Sequence, residues 1–429
     1  MDAEKHDFLI IGAGAGGATV ARELALRGRS VVVLERGVPP AHVGTYKDAT
    51  GFFDGSSVTH IPRHSAEGVT IWHTFMPGGS TVVACGNFTR CLERELAELG
   101  IDLSRELAEA EADVGVAPCS AELLSEGTWA IKEAASRLGY KMDLMPKGID
   151  PARCDRCGNC VLGCRHGAKW TAERYLDEAR DHGAEVMTGV RVDRVLSANG
   201  HVTGVRARNG KAEHDILADT VILAAGGLDT PVVLQRSGIS AAGGNLFTDL
   251  FVNTYGVTDH LGQVREPVMG LVDTEFHDER GFILSPFVNH SRRVRFLEAS
   301  TRGFGLPLER LLGIMTKITD EPVGRVLADG ALSKPVTARD RARLDEGSAL
   351  CREILVGAGA RPDSILVSSV QGGHPGGTAA IDTVVDRDLQ TEIDGLFVCD
   401  ASVLPTAPGL PPILTIMALG KRLGKALAA

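Results

Sequence analysis

The chain has 429 residues, of which 44% are apolar and 23% charged, with 51 glycines and a formal net charge of −10. That is an ordinary globular composition, long enough for about two or three structural units that each bury a core, and the negative balance without a long basic run excludes nucleic acid as a main partner. No stretch reaches the roughly 18 uncharged apolar residues that span a bilayer. The segment from Met1 to Asp7 lacks the basic-then-apolar order of a signal peptide, so a cytoplasmic setting is expected, where disulfides among the nine cysteines would be rare.

Phe8-Leu9-Ile10-Ile11 is a short, continuously apolar run that predicts a buried parallel strand. Gly12-Ala13-Gly14-Ala15-Gly16-Gly17 follows at once, then a helical stretch from Ala18 to Arg27 with Val20, Ala21, Leu24 and Ala25 on one face. Val31-Val32-Val33-Leu34 reads as a second strand ending in Glu35. Strand, glycine turn, helix, strand and terminal acid together form the dinucleotide-binding pattern. Gly12 would make the tight turn, Gly14 would let the backbone approach a pyrophosphate, and Gly17 would let helix and strand pack closely. Free N–H groups at the helix start would face the phosphates, and Glu35 would accept hydrogen bonds from the adenosine ribose. This pattern alone does not separate FAD from NAD.

Further along, Ala184 to Val195 and His201 to Arg208 alternate as a small meander. Val221-Ile222-Leu223 predicts another buried strand running into Ala224-Ala225-Gly226-Gly227, and Leu396-Phe397-Val398-Cys399 a third, closed by Asp400. A helix is expected from about Pro412, with Ile413, Ile416, Met417 and Leu423 on its apolar side. Nucleotide-binding strands are therefore spread over both ends and the middle, and residues 241–365 read as an inserted part. Cys154, Cys157, Cys160 and Cys164 have the spacing C-x2-C-x2-C-x3-C, which matches the bacterial ferredoxin run, although Arg165 rather than proline follows the last cysteine. A [4Fe–4S] cluster is expected there; zinc, or no metal, stay open as alternatives.

The motifs in their order resemble the glucose–methanol–choline (GMC) oxidoreductase family. They are the N-terminal glycine turn with Glu35, Gly78-Gly79-Ser80-Thr81, the cysteine segment with Gly167-Ala168-Lys169, Ala224-Ala225-Gly226 with Thr230-Pro231, Gly373-His374-Pro375-Gly376, and Asp400 to Pro405. The cysteine segment is most similar to the cholesterol oxidase and long-chain alcohol oxidase branch. The resemblance implies an α/β fold, with a Rossmann-like FAD-binding domain and an inserted, smaller α+β substrate domain. The FAD domain would take residues 1–100, 181–240 and 366–429, a helical segment with the cysteine loop 101–180, and the substrate domain 241–365.

The same resemblance implies that Gly78, Gly79 and Ser80 pass beside the flavin ring, that Ala225 belongs to the cofactor site, that Asp400 hydrogen-bonds the ribityl or pyrophosphate region, and that Pro412 opens a helix aimed at the flavin. His374 would be the base that takes a proton from an alcohol substrate. The family usually has Asn or His immediately before the proline that opens this helix, where this chain has Pro411, which can neither donate a hydrogen bond nor shuttle a proton. His374 would then work alone, or a group from the inserted domain would replace the missing one. The expected activity is an FAD-dependent dehydrogenase with an electron-acceptor protein or second subunit as partner. A flavin-dependent C=C desaturase or reductase, and an FAD-binding electron-transfer subunit, remain the alternatives.

Overall fold

The computed structural model describes residues 5–53 and 63–429. The first sheet grows from β1 (Lys5–Ile11), parallel to β2 (Val31–Glu35), with α1 (Ala15–Ala25) crossing between them. Leu9, Ile10 and Val33 are completely buried, as expected for strands covered on both faces; each such side chain contributes about 1.5–3 kcal/mol over an exposed one. β3 (Glu185–Thr188) extends the parallel sheet beyond β2. The predicted meander is thus displaced along the chain. Its first stretch joins the parallel sheet, and the antiparallel strands are Val190–Ala198, His201–Asn209 and the outer half of β4 (Ala212–Leu223). The inner half of β4 pairs in parallel with β1, so one strand serves both arrangements.

The chain then leaves for a second sheet, through β5 (Leu250–Val257), β6 (Phe282–Pro286) and β7 (Leu311–Ile318), all antiparallel neighbours with β7 in the middle. The short strands Arg63–His64, Thr70–Ile71, Leu366–Val367 and Gln371–Gly372 complete this seven-stranded sheet, so it also draws on chain before 241 and after 365. Side chains of β7 alternate between two environments, as the period of a strand requires. Leu312, Ile314, Thr316 and Ile318 are buried beneath α2 (Ala338–Gly357), where Thr316 meets Cys351. Met315 and Lys317 point the other way, opposite Asn253 and Phe251 of β5.

Finally the chain returns to the first sheet as β8 (Leu396–Val398), parallel to β4. It ends in α3 (Ile413–Ala428), which packs along α1. Pro412 is the residue before the first helical one and accepts from the Ile416 N–H, one position earlier than the sequence places it. The fixed proline φ suits either position.

Candidate active site

The turn after β1 is possible only with glycine. Gly12 has φ +103°, and a Cβ there would stand 2.2 Å from the Ala224 carbonyl oxygen. Gly17 presses on the Gly12 oxygen, with a Cβ at 2.0 Å. The tightest contact falls on a residue that pattern reading passed over: a Cβ on Gly16 would lie 1.8 Å from the oxygen of Cys399, just beyond β8. Gly14, by contrast, has nothing nearer than the Gly79 Cα at 4.0 Å. Its open face is a backbone cradle of the kind a pyrophosphate needs.

One cavity joins this cradle to the second sheet. It is lined by Gly12, Gly14, Glu35, Gly79, Ser80 and Ala225 on one side, and by Asp400, His374, Pro411 and Pro412 on another. Gly17 and Gly78 support the cavity from behind without lining it. Gly78, at φ +82°, turns the chain into the short helix Gly79–Val82. The Ala225 N–H donates to Thr230, tying down the turn after β4.

Glu35 and Asp400 are both buried beside the cavity and already engaged with the protein. Glu35 accepts from the Ala13 N–H at 2.9 Å and the Gly37 N–H at 2.7 Å. It therefore holds the glycine turn as well as facing the cavity. Burial pushes its carboxyl upward, against the pull of those two N–H groups. Asp400 accepts from the Gly226 N–H at 2.8 Å, the Thr230 hydroxyl at 2.6 Å and the Ser402 N–H at 2.7 Å. Its carboxylate closes the turns after β4 and β8 on each other, and burial raises its pKa.

His374 sits in its glycine-rich turn with Nδ1 2.8 Å from Asp249 Oδ2. Asp249 is 0% exposed and has φ +48°, and its other oxygen accepts from the Gly409 N–H at 2.9 Å. A carboxylate on Nδ1 fixes the tautomer, leaving Nε2 as the free lone pair. Burial, and then the charge of Lys317, pull the His374 pKa below the ordinary histidine value, while Asp249 works against them. Neutral imidazole is the form these forces favour at neutral pH.

Lys317 lines the same cavity and is 3% exposed. The sequence does offer a signal for it, the single charge in the eight-residue apolar strand β7. Asp249 carries no such mark. Around these polar groups the cavity wall is apolar, built from Phe251, Met269, Phe287 and Met315. Farther along stands Glu298, buried and hydrogen-bonded by Asn253, Asn289 and Tyr255. Burial lifts its carboxyl to about 7.

Two buried lysines shape the segment that runs past Ser80. The Lys169 ammonium donates to the carbonyls of Val82 at 2.7 Å and Cys160 at 2.9 Å, and also to that of Ala84. Lys147 donates to the Cys85 and Val268 carbonyls and to the Asn87 side chain, at 2.6–3.0 Å. Replacing Lys169 by Met strands three carbonyls, each worth about 1–3 kcal/mol when buried without a donor. The expected result is a loss of about 3 kcal/mol, with flavin released at a lower temperature than the far-UV circular dichroism transition. Coincident transitions at the wild-type temperature would show that the ammonium holds nothing of consequence.

All nine cysteines are free. Cys154, Cys157, Cys160 and Cys164 share one half-buried loop beside the cavity. Their arrangement departs from the sequence expectation: among the described residues, no three Cys, His, Asp or Glu side chains converge as a metal-holding group. Burial raises the Cys154 thiol, and burial with a hydrogen bond to Asp155 pushes the Cys157 thiol up to about 11.

Residues 6–252 match the GMC oxidoreductase N-terminal family model, and residues 331–420 match its C-terminal model. An uncharacterized protein of Methanocaldococcus jannaschii is 30% identical over 420 residues, covering 97% of this chain and 98% of its own. A long-chain-alcohol oxidase of Arabidopsis thaliana is 24% identical over 508 residues, covering 96% of this chain and 66% of its own. Among solved structures, a pyridoxine 4-oxidase has a similar fold, with a TM-score of 0.76 at 18% identity over 98% of this chain and 99% of the other. An Aspergillus oryzae formate oxidase variant follows the same fold, with a TM-score of 0.74 at 16% identity over 100% and 98% of the two chains. The two family-model matches together span most of the sequence, and the chain belongs to the GMC oxidoreductase family, with that family's Rossmann-like FAD-binding fold.

Proposed function

We propose that this chain oxidises an alcohol to a carbonyl, with His374 as the base. The observation that carries the reading is the Asp249–His374 pair, which opens into the cavity that also contains the glycine cradle. The cradle fits FAD: Gly14 leaves its face open, Glu35 closes one end, and Gly79-Ser80 with the start of α3 line the other. FAD, when bound, supplies the acceptor for the hydride.

The protein's own part is to hold the substrate and manage its proton. His374 Nε2 takes the hydroxyl proton, a role for which a neutral imidazole is suited near pH 7. Asp249 then stabilises the imidazolium through Nδ1, as a buried carboxylate does for a histidine base. Phe251, Met269, Phe287 and Met315 exclude water from the reacting carbon and select an apolar or modestly polar skeleton. The N-terminus of α3 favours negative charge next to it by on the order of 1 kcal/mol. Long-chain-alcohol oxidases and pyridoxine 4-oxidase among the relatives support a CH–OH substrate.

No step is routed through Cys154, Cys157, Cys160 and Cys164, since no three ligand side chains converge as a metal-holding group among the described residues. Iron and acid-labile sulfide per flavin, measured on anaerobically purified protein, decide whether a cluster nevertheless carries electrons to a partner protein. A cytoplasmic setting belongs to the same reading, supported by the nine free cysteines.

The direct test is anaerobic mixing of the flavin-loaded protein with a graded series of primary alcohols. Bleaching of the flavin with formation of one carbonyl per flavin is the expected result. No bleaching by any alcohol, or a product changed at a C=C bond instead, would overturn the reading.

A further inference from the structure

The cavity wall contains a buried lysine that the fold does not use. Lys317 is placed there by strand register: it stands opposite Phe251 of β5 and Ile283 of β6, on the face of β7 that looks into the cavity. Among the described residues its ammonium makes no hydrogen bond and no ion pair. The contrast with its neighbours is sharp. Lys334, just as buried, is paired with Asp320 at 2.9 Å, and Lys147 and Lys169 each have three oxygen acceptors.

A buried amine without an acceptor is expensive to keep unless something else supplies one. The nearby carboxylate, Asp249, is occupied by His374 and the Gly409 N–H; burial lowers the Lys317 pKa, and the charge of Asp249 opposes that shift. Two residues beyond Lys317, Thr319 packs against Gly409, where an added Cβ would lie 2.7 Å from the threonine hydroxyl. This end of β7 therefore adjoins the segment in which Pro411 offers no side-chain donor.

We propose that Lys317 is a second catalytic residue, donating a hydrogen bond to the substrate oxygen that His374 deprotonates. The proton passes from the hydroxyl to His374 Nε2, the C–H electron pair leaves with the hydride, and the oxygen becomes the carbonyl oxygen of the product. Lys317 keeps its own protons throughout. Its donors meet the negative charge that builds on that oxygen and so replace the function for which Pro411 has no group. This inference rests on the alcohol-oxidation reading, but it also makes a binding claim of its own: the cavity should accept a small anionic oxygen.

The experiment titrates acetate into flavin-loaded wild type, Lys317→Met and Lys317→Arg, following heat and the flavin difference spectrum. Methionine keeps the volume and arginine keeps the charge, and FAD content with melting temperature confirms that each variant is folded. The expected result is acetate binding to the wild type, at least about tenfold weaker binding to Lys317→Met, and Lys317→Arg within about threefold of wild type. Where an alcohol is turned over, Lys317→Met should lose about 10²–10³-fold in kcat, the loss that follows removal of one donor to a developing oxyanion. Equal acetate affinity in folded Lys317→Met, or no acetate binding to the wild type, overturns the assignment. Acetate binding without turnover of any alcohol would instead leave the lysine site standing and overturn the reaction.

Discussion

Replacing His374 by alanine is expected to lower kcat by about 10²–10⁴-fold, the usual contribution of a positioned general base, while FAD content stays at the wild-type value and the melting temperature falls only modestly, because buried Asp249 loses one partner and keeps the Gly409 N–H. The imidazole is only partly buried and its single hydrogen bond goes to Asp249, so its loss removes chemistry more than structure. The pH profile adds a second readout. Because burial and Lys317 depress the His374 pKa, the acid limb of kcat/KM should fall below 6.5, the ordinary histidine value. Activity requires the neutral form, so it rises as pH climbs through that depressed pKa and is lost below it. Asp249→Asn removes the one influence that raises the pKa, and asparagine tolerates the left-handed backbone at φ +48°. Its acid limb should therefore lie lower still, with kcat reduced because the tautomer is no longer fixed. An acid limb that keeps its position in Asp249→Asn would place the titrating group elsewhere.

Gly16→Ala should have the largest effect on the molecule as a whole. The added Cβ would sit 1.8 Å from a main-chain oxygen, that of Cys399, so no rotamer change can relieve the clash. Either α1 moves off the sheet or β8 moves out of it; α1 contributes Ala15 and Gly16 to the cavity wall, and β8 leads directly into Asp400 and Ala401, which also line it. Overpacking of a tight interior costs about 1–3 kcal/mol and more where backbone must shift; about 3 kcal/mol is expected here, with most of the FAD lost on purification. Gly14→Ala makes the informative contrast, since space for its Cβ exists. That variant should fold at the wild-type temperature yet bind FAD more weakly, because the methyl fills the cradle. Flavin content and thermal unfolding, measured together, separate the two cases. Wild-type FAD content in Gly16→Ala would show that the contact at Cys399 relaxes at little cost.

What could be read from the sequence follows the range of the interactions involved. The unit β1–α1–β2 is written in consecutive residues, because apolar runs, glycine turn and terminal acid all act within about thirty positions. His374 stands out for the same reason, in a local turn crowded with glycine. Asp249 does not, and Lys317 shows only as a lone charge in an apolar strand, because their meaning arises only when β5, β7 and the histidine turn are brought together across more than a hundred residues of chain. Gly16 was hidden differently: the familiar spacing draws attention to Gly12, Gly14 and Gly17, whereas the closest contact is with a strand that returns some 380 residues later. The cysteine run shows the opposite failure. Its spacing is regular enough to suggest a cluster, but spacing cannot say which way four thiols point.

The Lys169 ammonium has a consequence for communication within the molecule. One buried group grips the loop that passes beside the flavin cradle, through Val82 and Ala84, and the cysteine loop, through Cys160. The two loops therefore cannot settle independently, since displacing either one removes an acceptor from a charge that has no water to turn to. Whatever stabilises one of them, whether cofactor occupancy on one side or a chemical change at the thiols on the other, is felt at the second with the same coupling free energy in both directions.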